Sequence, residues 1–157
     1  MSYTRRVSVR PLRHIPVLNC DEKGTPMQLK FTSVMVDDQE KALLFYTNIL
    51  GFVKMADITH GGFRWLTVCS PEGIEGVELV LEPMGFPPAQ TYQKALFDAG
   101  IPATAFVTSD IDAECLRLKT LGVVFRGEPV HMGSYAFVMF EDTCGNLINM
   151  VQPAAIP

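Results

Sequence analysis

The strongest constraint on this chain is that it is written twice. The run FTSVMV, DDQEKALLFYTNIL, GFVKMADI, GGFRWLTVCS, GVELVLEP returns in the same order, with altered residues, after a Pro-rich bridge, GFPPAQ. Asp38 to Asp110 is 72 positions, Phe31 to Ala103 is 72, and Glu78 to Asn149 is 71. A constant offset of this kind is the mark of an internal duplication, and it limits the fold to two copies of one supersecondary unit.

Each copy reads as strand, helix and three strands. Phe31 to Val36 is β-rich, Asp37 or Asp38 is placed to cap a helix, and Glu40 follows Asp37 by three as a capping-box partner. Ala42, Phe45, Tyr46 and Ile49 recur at helical spacing before Gly51 ends the helix. His60-Gly61-Gly62 and Pro71-Glu72-Gly73 separate the next three strands. In the second copy Ala103 to Thr108 is the strand, Ser109 the expected cap, and Ile111, Cys115, Leu118 and Leu121 the helical face. Val123 to Arg126, Ser134 to Phe140 and Asn146 to Val151 are the expected closing strands, and a short helix is expected over Thr91 to Asp98. The expected fold is therefore α+β, two βαβββ modules (28–83 and 102–152) joined by 84–101. Each sheet must cover its free face, and sheets set side by side as a curved mixed trough would do so.

The remaining bulk properties exclude function classes. Lys and Arg total 13 against 17 Asp and Glu, so no basic footprint for nucleic acid exists. No apolar run approaches the roughly 20 residues a membrane helix needs. Cys20, Cys69, Cys115 and Cys144 lie far apart without metal or redox spacing, and read as reduced thiols of a cytoplasmic protein. Residues 1–27 carry five basic groups and two acids, against 8 and 15 in the rest. They read as a flexible basic extension or an upstream start ahead of Met27, with a transit peptide as the alternative.

VMVDDQEKALLFYTNILGF, GFRWLTV, GVELVLEP and FEDTCGNLINM resemble the vicinal oxygen chelate superfamily, which holds glyoxalases, bleomycin-resistance proteins and extradiol dioxygenases. The resemblance spans about residues 29–152. It implies that metal ligands, where a member has them, project from the first and last strands of each module. Those positions here are Phe31, Ala103, Glu78 and Asn149. Phe and Ala have no lone pair to donate, and a transition-metal site ordinarily takes at least three protein ligands, so no metal and no cofactor are expected. His14, His60 and His131 stand outside those strands.

Strand alternation then lists the pocket lining: Phe31, Ser33 and Met35; Glu78, Val80 and Glu82; Ala103, Ala105 and Val107; Leu147, Asn149 and Val151. Trp65 is either a stacking platform in the pocket or core beneath the helix, and Tyr135 is a further candidate lining residue. Glu78 is the candidate general base, anchor for a cation, or partner of Arg64 across the sheet. His131 is the candidate second proton carrier. Three functions compete: sequestration of an apolar, aromatic or cationic small molecule; a glyoxalase-like lyase or isomerase, or other enzyme, using Glu78 with His131 or Tyr135; and a dimerisation or regulatory scaffold. A homodimer is implied by the resemblance.

Overall fold

A computed structural model describes residues 28–154; residues 1–27, with His14, Cys20 and the basic extension, and residues 155–157 lie outside the described residues. The chain runs β1 (Phe31–Val36), α1 (Gln39–Leu44) continued by a π-helical turn (Phe45–Ile49), β2 (Val53–His60), β3 (Phe63–Cys69), β4 (Glu78–Pro83) and α2 (Pro87–Asp98). It then repeats as β5 (Thr104–Val107), α3 (Ile111–Thr120), β6 (Val130–Met132), β7 (Tyr135–Glu141) and β8 (Leu147–Gln152). The strands form two four-stranded mixed sheets, ordered β1-β4-β3-β2 and β5-β8-β7-β6, so the α+β class and the duplication are both present. In each sheet the first strand lies parallel to the last, and the other neighbours are antiparallel.

Several boundaries differ from the sequence reading. The α1 cap is Asp38, whose carboxylate accepts from the backbone N–H groups of Glu40 and Lys41 at 2.8 and 3.0 Å. Asp37 pairs with Lys41 instead, and Glu40 reaches Arg64 rather than back to the cap. Asp110, not Ser109, caps α3 by accepting from Ala113. Helix α2 begins at Pro87, because a proline's missing N–H costs nothing in the first turn. Only Phe125 of the expected strand 123–126 makes a β-bridge, to Phe140. Gly127 turns the chain at φ +118°, a conformation open to glycine, and pairing resumes at Val130.

The core explains how the halves join. Val34, Val36, Leu66, Val68 and Leu81 of the first sheet share one buried cluster with Ala136, Val138, Phe140, Ile148 and Met150 of the second. Ala42, Phe45 and Tyr46 of α1 and Ile111, Cys115 and Leu118 of α3 belong to it too. Phe45 packs on Phe140 at 6.5 Å between ring centres, and Phe52 on Phe106 at 5.3 Å. Each fully buried large side chain contributes about 1.5–3 kcal/mol. The helices therefore lie between the two sheets, and each sheet presents its other face outward. No strand of one sheet pairs with a strand of the other.

Candidate functional site

Alternation along β1 buries Val34 and Val36 against the helices and turns Phe31, Ser33 and Met35 outward. On β3 the buried Leu66 and Val68 leave Phe63, Trp65 and Thr67 on the outer face, and on β4 Leu79 and Leu81 leave Glu78, Val80 and Glu82 there. Register brings these together: Phe31 lies opposite Glu78, Thr67 opposite Val80, and Ile58 opposite Trp65. The rings of Phe31 and Trp65 meet edge to face, centroids 5.4 Å apart and planes at 82°. They are 43% and 41% exposed, so Trp65 is a surface platform and not core beneath the helix.

Glu78 sits beside that pair. One of its carboxylate oxygens accepts a 2.6 Å hydrogen bond from the Thr67 hydroxyl, whose oxygen accepts in turn from the Ala56 N–H at 3.1 Å. Thr67 is fully buried, so the carboxylate is held in place by a rigid donor. Arg64 is not its partner. The guanidinium lies on the helix side, 2.8 Å from Asp57 and 2.9 Å from Glu40, and its hydrogen bonds hold the Asp57 carboxyl well below the usual carboxylate range. Thr67 was missed from sequence, although its alternation with Trp65 and the small polar side chain in an apolar strand were available as a signal.

The second sheet's outer face is plainer. Ala105 lies opposite Asn149, which lies opposite Met139, with Val107, Leu147 and Val151 on the same face in neighbouring rows. Ala103 stands one residue before β5. Tyr135 packs against Phe137 at 5.8 Å. The Asn149 Oδ1 is buried with no hydrogen-bond partner among the described residues. His131 faces the other way: it pairs in register with the buried Ala136, and its Nε2 lies 3.3 Å from Asp112 of α3. It is therefore not brought together with Glu78.

The four positions at which the resemblance places metal ligands do not fit a divalent ion. Phe31 and Ala103 offer carbon, Glu78 is committed on one oxygen to Thr67, and the Asn149 oxygen is buried. Among the described residues no group of three or more His, Cys, Asp or Glu side chains is placed to hold a metal.

The description of the glyoxalase/bleomycin resistance protein/dioxygenase superfamily matches residues 28–150. The chain belongs to this superfamily. It is 50% identical over 126 residues to the uncharacterized protein YurT of Bacillus subtilis (strain 168), a match covering 80% of this chain and 99% of that one. Among solved structures, UcmS2 superposes with a TM-score of 0.70 at 30% identity, covering 81% of this chain and 98% of its own. TnmS3, an antibiotic binding protein from Streptomyces sp. CB03234, superposes with a TM-score of 0.63 at 33% identity, covering 81% and 96%. The superfamily includes small-molecule-binding proteins, and no described helix here is long and apolar enough to cross a membrane.

Proposed function

We propose that this superfamily member is a metal-independent, cytoplasmic binding protein for an aromatic and preferably cationic small molecule. The observation that carries the reading is the exposed Phe31–Trp65 pair beside the anchored Glu78 carboxylate. An aromatic ligand stacks on such rings, and a carboxylate within reach favours a positive group. Phe31, Ser33, Met35, Trp65, Glu78 and Val80 form one wall. Ala103, Ala105, Tyr135 and Asn149 form the other, on the second sheet. Because both walls face outward from one chain, a homodimer that lays the first sheet of one copy against the second sheet of its partner would close a complete trough. The exposed apolar side chains Met55, Ile58, Phe63, Val107, Val130 and Met132 support such a partner. That TnmS3 is an antibiotic binding protein supports sequestration over turnover. Against an enzyme, the one side-chain hydrogen-bond partner of Glu78 among the described residues is Thr67, which relays no proton to a second titratable group. The free thiols Cys69, Cys115 and Cys144 support a reducing compartment.

The test is titration of the purified full chain with 9-aminoacridine, a cationic aromatic probe, following the fluorescence of Trp65, the single tryptophan of the chain. Saturable quenching, with probe recovered unchanged, is the expected result. Absence of saturation, or a new chemical product, would overturn the reading.

A further inference from the structure

The duplication should make the junction between the halves symmetric, yet it is closed on one side only. On the closed side the turn between β7 and β8 docks on the joint between β1 and α1. Asn146 Nδ2 donates to the Met35 carbonyl at 2.8 Å, the Gln93 amide of α2 donates to the same carbonyl at 2.8 Å, and Phe45 covers Phe140. On the other side the loop 70–77 between β3 and β4 stands off from the joint between β5 and α3. A cleft of about 990 Å3 remains between them, at the upper end of the range for small-molecule sites.

The reason lies in the residues at equivalent positions. Helix caps Asp38 and Asp110 align α1 with α3, which puts Arg117 where the first half has Phe45. The strand pairs Val68↔Leu79 and Phe140↔Ile148 align β3 with β7 at the same offset, which puts Val68 where the second half has Phe140. The aromatic contact that seals one side is thus a Val and an Arg on the other, and both line the cleft. The Gln93 plug also has no counterpart, since no described helix follows β8.

The lining selects a ligand. Val68, Leu79 and Leu118 make an apolar floor, while Ser70, Ser109 and the Glu114–Arg117 pair make a polar rim. Arg117 spends its donors on Glu114, at 2.6 and 2.8 Å, and on the Ile49 carbonyl at 2.9 Å, so its charge is neutralised within the chain. An anion gains little from it, and Glu72 on the rim repels one. Ile74, 81% exposed beside this floor, offers a further apolar side chain at the mouth. We propose that the cleft is a second binding site, complete within one chain and separate from the outer sheet faces, for a neutral amphipathic small molecule with an apolar body and a hydrogen-bonding edge.

Binding of N-phenyl-1-naphthylamine, a neutral apolar fluorophore, to the full chain tests this. Ser70→Phe places an aromatic ring in the cleft and is expected to weaken binding by about tenfold or more, a loss of about 1.4 kcal/mol. Trp65→Leu, on the outer face of the first sheet, is expected to leave binding unchanged. Loss in Trp65→Leu, undiminished binding in a folded Ser70→Phe, or no saturable binding at all would each overturn the proposal. Should Ser70→Phe fail to fold, alkylation of Cys69, which lines the cleft, is measured in Trp65→Leu with and without fluorophore. Protection supports the site, and equal alkylation rates overturn it.

Discussion

The hydroxyl of Tyr46 lies 3.2 Å from a carboxylate oxygen of Asp142, a hydrogen bond between residues 96 apart in sequence that joins the first module's helix to the second module's closing turn. Asp142 is fully buried and also accepts from the N–H groups of Cys144 and Asn146, both at 2.9 Å, and from Asn146 Nδ2 at 2.7 Å. Tyr46 is thus a clamp between the halves as well as a packing residue. Tyr46→Phe should destabilise by about 1 kcal/mol, and Asp142→Ala, which strands four donors, by about 3 kcal/mol or more. Urea unfolding of the variants measures both.

Burial pushes the Asp142 carboxyl above its ordinary value, and the hydrogen bonds from Asn146, Cys144 and Tyr46 only partly pull it back. A folded state with the raised pKa binds the proton more tightly than the unfolded state does. The contribution of this group to stability is therefore full below its unfolded value, about 4, and declines as pH rises through the folded one. Asp142→Asn abolishes that titration. Plots of unfolding midpoint against pH should show wild type losing ground relative to Asp142→Asn as pH rises from about 4. Parallel plots would count against it.

Gly145 closes the same turn at φ +88°, and a Cβ there would stand 3.0 Å from the Gln93 side-chain oxygen. Gly145→Ala meets backbone strain and a clash together, for a cost of about 1–3 kcal/mol. Pairing it with Gln93→Ala relieves the clash but not the φ strain. Thermal or urea unfolding of the double variant should show a loss smaller than the sum of the single losses.

Phe31→Leu removes one partner of the exposed aromatic pair without opening a core cavity. Stability should change by less than about 1 kcal/mol, whereas 9-aminoacridine affinity should fall by about 1 kcal/mol, or roughly fivefold. Isothermal titration separates the two effects, and equal affinity would remove this wall from the site.

Cysteine reactivity should follow burial. The Cys144 thiol is pushed up to about 12, first by burial and then by the Asp142 and Asp37 carboxylates. Burial also raises Cys115, whereas Cys69 is partly exposed. Among these three, peptide mass spectrometry after iodoacetamide treatment near pH 8 should find Cys69 alkylated first, with Cys144 modified only on unfolding.

Alternation within a strand and the constant offset between modules were enough to place Phe31, Ser33, Met35, Glu78 and Val80 on one face, because a side chain's direction along a strand is local geometry. The glycines at 51 and 122 ended their helices as read, both at positive φ. Which residue answers which across the fold was not local. Asp110 displaced Ser109 as the α3 cap, His131 turned to Asp112, Arg64 joined Asp57 and Glu40, and Glu78 found Thr67.

The sequence by itself determined the duplication, the α+β class and the periodic faces of each element. Only the tertiary structure decided that the helices pack between the sheets, that both sheet faces look outward, and that one side of the module junction seals on Phe45 and Phe140 while the other stays open at Arg117 and Val68. Periodicity sets the direction of a side chain relative to its own backbone. The partner it meets depends on how whole modules dock, through contacts between residues distant in the chain.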